Sequence, residues 1–135
     1  MDNKELIRLA LEARQMAYVP YSNYMVGAAL LTRQGKVYKG CNIENAAYTP
    51  TNCAERTAFF KAVSEGEREF DAIAIVGGYE DNPTDYAYPC GVCRQVMIEF
   101  CNPEKFRVIT AISEEQYLEQ TLAEMLPYGF GPQNL

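Results

Sequence analysis

The apolar residues of this chain alternate between helical and strand-type spacing, and this alternation restricts the fold more than any other feature. Leu6, Leu9, Ala13 and Met16 recur at the spacing of an amphipathic helix. Two short apolar runs follow, with Gly35 between them, as in a β-hairpin. Helix and strand patterns then take turns to the end. This order predicts a three-layer α/β/α sandwich around a mixed five-stranded sheet, with an antiparallel hairpin and parallel strand–helix–strand units.

The predicted segments have definite limits. They are a helix over 6–17 capped by Asp2 with Glu5 and ended by Pro20, strands over Met25–Leu31 and Val37–Cys41, a loop over Asn42–Asn52, a helix over Cys53–Val63, a strand over Ala72–Val76, a loop over Gly77–Pro89, a helix over Gly91–Cys101 with Val92, Val96, Met97 and Phe100 inward, a strand over Phe106–Ile112, and a tail with a short strand and a helical turn around Leu122, Met125 and Leu126.

Length and composition predict one globular domain over residues 1–135. The net charge of −6 argues against a nucleic-acid partner, because duplex binding favours a basic stripe. No apolar run approaches the length of a membrane span, and the N-terminus shows no signal-peptide pattern. We therefore expect a cytoplasmic protein, in which cysteine pairs indicate metal binding or catalysis rather than disulfides.

The chain has no histidine, which excludes Ser–His and Cys–His nucleophile systems. Any transition-metal site must then use thiolates and carboxylates. Two cysteine clusters open predicted helices: Cys53-Ala54-Glu55, and Pro89-Cys90-Gly91-Val92-Cys93. A helix N-terminus favours the thiolate form, and three thiolates suit zinc. Cys53, Cys90 and Cys93 are therefore the candidate ligands, and water is the candidate fourth ligand.

Two residues beside Cys53 are candidates for supporting roles. Glu55 is the candidate proton carrier, able to take a proton from a water on the metal. Arg56 is three residues from Cys53 and can offset excess negative charge by donating to the thiolates. Cys101 lies about 12 Å along the helix from Cys93, too far to be a ligand. The spacing of Cys41 does not exclude it.

Each of these motifs also has a simpler interpretation. A lone Cys-x-x-Cys can serve a turn, a redox centre or a core. Asn52 and Glu55 have the spacing of a capping box, with Asn52 as N-cap. Arg56 can be a solvated helix charge, and Cys41 and Cys101 can be buried apolar thiols. The combination of both cysteine clusters is much rarer than either alone and favours the zinc site.

With these motifs in place, the sequence resembles the small, homotetrameric type of zinc-dependent cytidine deaminase. The similarity runs from about Ala17 to Pro132. The matching stretches are Pro20-Tyr21-Ser22, Val26-Gly27-Ala28-Ala29-Leu30, Gly40 to Tyr48, Cys53 to Ala58, Pro89-Cys90-Gly91 with Cys93-Arg94-Gln95, Leu126-Pro127 and Phe130-Gly131-Pro132. A Cys₃ zinc site with a non-ligand Glu is a known signature of zinc deaminases.

The resemblance implies one Zn²⁺ per chain on the three cysteines, with Glu55 as proton shuttle. It implies that Asn42 and Glu44 bind the ribose hydroxyls and that the backbone around Ala54 meets the pyrimidine carbonyl. Phe130 and Tyr48 would reach into a neighbouring subunit's site. The implied activity is hydrolytic deamination of cytidine and deoxycytidine in pyrimidine salvage, with release of ammonia.

Three features depart from the family pattern. Tyr24 replaces the usual Phe and adds a hydroxyl near the sugar, and Tyr88 stands where Ser is common. The loop over 77–88 looks longer than in close relatives. Two alternatives therefore stay open: a deaminase of a modified cytosine nucleoside or another aminopyrimidine, such as blasticidin S, and a non-catalytic zinc module with a fourth protein ligand.

Overall fold

The computed structural model describes residues 1–79 and 82–135. Glu80 and Asp81, within the loop predicted from sequence, lie outside the described residues. The elements are α1 (Asn3–Arg14), β1 (Tyr24–Thr32), β2 (Val37–Cys41), α2 (Ala54–Ser64), β3 (Phe70–Tyr79), α3 (Gly91–Phe100), β4 (Arg107–Ala111), β5 (Tyr117–Thr121), α4 (Leu122–Met125) and a 3₁₀ turn (Pro132–Asn134). None of the described helices has the length and apolar character needed to cross a membrane.

The five strands form one mixed sheet in the order β2-β1-β3-β4-β5. The β1–β2 hairpin is antiparallel, and Gly35 in its turn has a φ of 95°, which explains the glycine. β3 pairs with β4 in parallel across the α3 connection, whereas β5 returns antiparallel to β4. The mixed five-stranded sheet predicted from the sequence is confirmed.

The sheet separates two apolar clusters, and this separation makes the three layers. Ala28 and Leu30 of β1 face the cluster formed with α2 and α3, whereas Ala29 and Leu31 face the cluster formed with α1. Successive side chains point to opposite faces of a strand, so a continuous apolar run serves both clusters. The two cysteine clusters at the starts of α2 and α3 consequently lie on the same side of the sheet.

Two glycines let helices approach the sheet closely. A Cβ at Gly27 would lie 2.1 Å from the carbonyl oxygen of Ala10 in α1. A Cβ at Gly40 would lie 2.4 Å from the carbonyl oxygen of Ala54 in α2. Contacts this short with backbone atoms cannot be accommodated without moving the helix. Gly40 therefore fixes how close the first turn of α2 lies to the sheet.

Three predicted details are wrong. α1 ends at Arg14 because the amides of Met16 and Ala17 bond to carbonyls three residues back, as a tighter turn requires. The apolar spacing continues there, but the α-helix does not. Val92 is 57% exposed and does not face the core, whereas Cys93 beside it is buried.

The third wrong detail is the start of the loop predicted over Gly77–Pro89, because β3 continues to Tyr79. Gly77 and Gly78 pair with Val26 and Met25 of β1. These glycines leave room for the following loop to fold back: a Cβ on Gly78 would meet Pro83 at 2.9 Å.

Candidate active site

The N-termini of α2 and α3 meet at one point on the sheet. Cys53 is the N-cap of α2 and Cys90 is the N-cap of α3, and neither helix has a side-chain capping bond. The first amides of each helix therefore direct positive potential toward the cysteines. The Sγ atoms of Cys53, Cys90 and Cys93 all lie within 4.8 Å of one another.

This donor set fits zinc. The Sγ atoms of Cys53 and Cys90 are 3.9 Å apart. Tetrahedral zinc with Zn–S bonds of 2.3 Å separates its sulfur ligands by about 3.8 Å. Among the described residues, the group able to hold a metal comprises these three cysteines and neither Cys41 nor Cys101. A site with three protein ligands keeps a position for water, which is the arrangement of catalytic rather than structural zinc.

The two remaining cysteines are not part of this cluster. Cys101 is buried, and burial raises the pKa of its thiol. Cys41 is half-buried at the end of β2, and burial raises the pKa of its thiol as well. Both groups favour the neutral thiol, which is the form that packs with apolar neighbours.

Glu55 lies in the first turn of α2 and is only 4% exposed. Burial raises the pKa of its carboxyl to about 7, so that both protonation states are accessible near neutral pH. The capping-box interpretation of Glu55 is wrong, because Cys53 rather than Asn52 is the N-cap. The Asn52 side chain instead donates to the Thr57 hydroxyl at 3.2 Å.

Arg56 donates from Nη2 to the Sγ of Cys53 at 3.2 Å. The hydrogen bond with Cys93, assisted by that from Arg56, lowers the pKa of Cys53 to about 5. The same Cys53–Cys93 contact raises the pKa of Cys93. The contact thus favours the thiolate form of Cys53 and the neutral thiol of Cys93. The interpretation of Arg56 as a merely solvated charge does not describe this contact.

A cavity of about 510 Å³ opens beside the cysteine cluster. It is lined by Ser22, Tyr24, Val26, Asn42, Glu44, Cys53, Ala54, Glu55, Ile75, Tyr86, Ala87, Tyr88 and Cys90. Two of the three candidate metal ligands, Cys53 and Cys90, therefore share one space with Glu55 and with the residues that the resemblance assigns to the sugar. The lining residues come from β1, β3, the start of α2 and the segments before β1, after β2 and before α3, so the cavity forms only when the chain is folded.

The sugar-binding candidates are held by hydrogen bonds to the backbone. Asn42 accepts from the amide of Val26 at 2.9 Å and donates to the carbonyl of Tyr24 at 2.8 Å. Glu44 accepts from the amides of Tyr21 and Ser22 at 3.0 and 3.1 Å. Bonding from the Ser22 hydroxyl lowers the pKa of Glu44 below its usual range. The Glu44 carboxylate is therefore a fixed anionic acceptor.

Tyr24 forms part of the cavity wall, and its ring lies edge-on to Tyr79 with centroids 5.0 Å apart. Burial raises the pKa of its phenol, so the hydroxyl stays protonated. A Cβ on Gly77 would lie 3.2 Å from this hydroxyl and 2.7 Å from the Cβ of Ala87. The Tyr24 ring thus packs where the loop after β3 folds back onto the sheet.

Tyr48 and Phe130 do not line this cavity within one chain. Tyr48 lines a neighbouring space of about 330 Å³ with Tyr21, and their ring centroids are 6.3 Å apart. Phe130 is 59% exposed, and its carbonyl accepts a hydrogen bond from Gln95 at 2.7 Å. Their predicted roles concern a second subunit and stay predictions.

Comparison with known proteins identifies the family of this site. The pattern described as the cytidine and deoxycytidylate deaminase zinc-binding region matches residues 1–110. The chain belongs to this family. A cytidine deaminase from Sporosarcina psychrophila is 51% identical over 135 residues, covering 100% of this chain and 96% of the relative. The similarity of this deaminase to that relative thus extends over the whole chain.

Structural comparison agrees with that placement. The crystal structure of a cytidine deaminase from Burkholderia pseudomallei matches this deaminase with a TM-score of 0.88 and 46% identity, covering 96% of this chain and 100% of that one. A blasticidin-S deaminase from Bacillus cereus is 31% identical over 127 residues, covering 91% of this chain and 88% of the relative. The fold class and the zinc-dependent deaminase family predicted from the sequence are confirmed.

Sequence reasoning did not assign roles in the cavity of this deaminase to Ser22, Val26, Ile75 or Ala87. Val26 and Ile75 are apolar strand residues whose spacing indicates burial but not the cavity that they line. Ser22 stands in a matching stretch, two residues before β1, and its hydroxyl contact with Glu44 depends on a chain reversal that the sequence does not reveal.

Proposed function

We propose that this chain hydrolytically deaminates cytidine and deoxycytidine to uridine and deoxyuridine with release of ammonia. The observation that supports this most strongly is the single cavity that contains Cys53, Glu55, Asn42 and Glu44 together. A metal centre and a buried carboxyl serve hydrolysis, whereas an amide and a carboxylate serve the hydroxyls of a sugar. A nucleoside carries both kinds of group.

In this proposal Cys53, Cys90 and Cys93 hold one zinc ion. When bound, zinc lowers the pKa of a water molecule toward 7 and so supplies a nucleophile at neutral pH. Arg56 offsets the negative charge of three thiolates by its hydrogen bond to Cys53. Glu55 does not belong to the group of described residues that could hold the metal, so its carboxyl is left for proton transfer.

Glu55 carries the protons in this proposal. It accepts a proton from the attacking water and donates it to ring atom N3, which makes C4 electrophilic. After the water oxygen has bonded to C4, Glu55 takes the proton of the new C4 hydroxyl and passes it to the exocyclic amine. The C4–N bond then breaks, the C4 carbonyl forms and the amine leaves as ammonia. A carboxyl whose pKa lies near 7 is suited to both steps, because it loses and regains a proton with little energetic cost.

Asn42 and Glu44 recognise the sugar. Their hydrogen bonds to the backbone leave each of them with unused hydrogen-bonding capacity. The amide of Ala54 lies in the first turn of α2, where amides lack partners within the helix, and it meets the pyrimidine carbonyl. Tyr24 packs against the sugar side of the cavity.

The finer setting of this activity is also part of the proposal. The chain forms a homotetramer in which Phe130 stacks on the base and Tyr48 contacts the site of a neighbouring subunit. Exposed positions of both aromatic side chains support this arrangement, since large apolar groups favour covered surfaces. We place the enzyme in pyrimidine salvage in the cytoplasm, as one domain over residues 1–135.

A modified cytosine nucleoside is the second candidate substrate. Tyr86 and Tyr88 both line the cavity beside Cys90, and Tyr88 stands where the family commonly has Ser. A bulkier wall changes which base substituents fit. The relative from Bacillus cereus is named as a blasticidin-S deaminase, so blasticidin S is the specific compound to test for this alternative.

A substrate panel tests the proposed function. The purified protein is expected to contain one zinc ion per chain and to decrease the absorbance of cytidine and deoxycytidine more efficiently than that of 5-methylcytidine or blasticidin S. The comparison uses kcat/KM for each compound. Turnover of blasticidin S above that of cytidine would select the second candidate, and full zinc content without turnover of any compound would indicate a non-catalytic zinc module.

Replacing Glu55 with Gln tests the proton carrier. The variant keeps the size of the side chain but cannot transfer protons, so we expect full zinc content and a loss of kcat of at least about 1,000-fold. Zinc content by metal analysis and kcat with cytidine are the two measurements. Near-normal turnover by Glu55→Gln would show that another group carries the protons.

A further inference from the structure

The Ser22 hydroxyl joins two parts of the cavity wall. It donates to Oε2 of Glu44, and it accepts from the amide of Tyr24 at 3.0 Å. Ser22 itself lines the cavity. No part of the proposed chemistry uses this residue, although it contacts the carboxylate that recognises the sugar.

The turn before β1 is shaped around the Glu44 carboxylate. The amides of Tyr21 and Ser22 both donate to Oε1, so the first oxygen is held entirely by the backbone. Asn23, directly after these donors, has a φ of 63°, a left-handed conformation. The Ser22 hydroxyl is the only side-chain donor among the hydrogen bonds described for this carboxylate.

A count of lone pairs shows what this leaves for a ligand. An ionised carboxylate offers about four acceptor positions. Two on Oε1 are occupied by amides and one on Oε2 by Ser22, so one position on Oε2 stays open. Without the Ser22 hydroxyl, Oε2 would be free to rotate about the remaining bonds or bind water. The hydroxyl therefore determines where the open position lies.

The same network reaches Asn42 through the backbone of Tyr24. Ser22 accepts from the amide of Tyr24, and Asn42 donates to the carbonyl of the same residue at 2.8 Å. The two groups that recognise the sugar are thus fixed to one peptide segment. We define Ser22, Tyr24, Asn42 and Glu44 as the sugar-site network.

We propose that Ser22 is a positioning residue for recognition of the sugar hydroxyls, acting by orienting Glu44 within the sugar-site network. This inference rests on the proposed nucleoside deamination. It implies that the contribution of Ser22 depends on hydroxyls at the 2′ and 3′ positions of the substrate. A residue that only stabilised the turn would affect all substrates alike.

The test compares Ser22→Ala on cytidine and on 2′,3′-dideoxycytidine. Hydrogen bonds to charged groups are strong enough that we expect KM for cytidine to rise about tenfold, with kcat changed less than about twofold. KM for 2′,3′-dideoxycytidine is expected to stay within about twofold of wild type, because that substrate has no hydroxyl for Glu44 to accept. Ser22→Thr, which keeps the hydroxyl, is expected to restore the wild-type ratio of the two KM values.

Two further variants serve as a control and as a replacement for Ser22→Ala. Ser113→Ala removes a hydroxyl that also accepts backbone amides in a turn, between β4 and β5, and should leave both KM values unchanged. If Ser22→Ala does not fold, Ser22→Cys keeps the side-chain volume, weakens the hydrogen bond and should give the same selective rise in KM.

The outcomes separate this inference from the proposed function. The positioning role would be overturned if Ser22→Ala changed KM equally for both substrates, or if Ser22→Thr behaved like Ser22→Ala. Wild-type turnover of cytidine would still support the proposed function in that case. Absence of wild-type turnover of both cytidine and deoxycytidine would instead overturn the proposed function.

Discussion

A charged side chain without any exposure stands out at the scale of single residues. Arg14, at the end of α1, is 0% exposed. Its Nε donates to the carbonyl of Met25 in β1 at 3.0 Å, and its Nη2 donates to the carbonyl of Gly78 in β3 at 2.7 Å. The guanidinium thus links one helix to two strands, directly beneath the segments that carry Tyr24 and the loop after β3.

Replacing Arg14 with Met should lower the free energy of unfolding by about 2–4 kcal/mol, because two buried carbonyls lose charged donors. The control is Arg8→Met on the same helix, where an exposed arginine pairs with Glu5 and Glu12. Its effect should be below about 0.5 kcal/mol. Urea denaturation of both variants measures the difference, and equal effects would contradict the role assigned to Arg14.

α1 and α2 lie against opposite faces of the sheet, and in each case one glycine of the sheet allows the close approach of the helix backbone. Gly27 accommodates the backbone of α1, and Gly40 accommodates the backbone of α2 near Ala54 and Ala58. The two sites are similar in tightness but differ in what the displaced helix carries. α2 begins at Cys53 and contains Glu55, whereas α1 carries no residue of the cavity.

Substitution of either glycine by Ala should destabilise the fold by about 2 kcal/mol, because the added methyl group forces a helix outward. Only Gly40→Ala should also lose zinc, at a chelator concentration that leaves wild type and Gly27→Ala loaded. Thermal unfolding and a chelator titration read the two effects separately. Equal zinc retention by the two variants would show that the position of α2 does not limit the metal site.

At the scale of the whole molecule, two exposed aromatic side chains take no part in the cavity of their own chain. Phe130 is 59% exposed and Tyr48 is 71% exposed, and neither lines the cavity of its own chain. The tail that carries Phe130 is held by Gln95 of α3. An exposed aromatic ring on a backbone held by a hydrogen bond is suited to completing a neighbouring subunit's site.

Phe130→Ala should raise KM for cytidine about tenfold, the cost of one lost stacking contact with a base. Co-expression of Phe130→Ala with the Glu55→Gln chain tests whether the ring acts on a neighbour. If it does, mixed oligomers contain sites with an intact Glu55 and an intact Phe130 from the other chain. Their activity should then exceed the sum of the two separate variants, whereas simple addition would assign Phe130 to its own chain.

The sequence determined the order of elements and indicated the three cysteines that the fold brings together as candidate metal ligands. Hydrophobic periodicity is a local property, so the hairpin, both cavity-forming helices and the terminal strand were predicted near their observed positions. Cysteines that open two helices indicate zinc for a chemical reason, since no histidine is present. Boundaries were less accurate where glycine serves packing, as at Gly77 and Gly78, rather than a turn.

Only the tertiary structure decided how these residues act together. The approach of Cys53 to Cys90 depends on two helix ends meeting over the sheet, and the pKa of Glu55 depends on its burial there. The contact between Ser22 and Glu44 joins residues 22 positions apart in the chain. Distances, burial and shared hydrogen bonds arise from long-range packing, which residue types and their spacing along the chain do not contain.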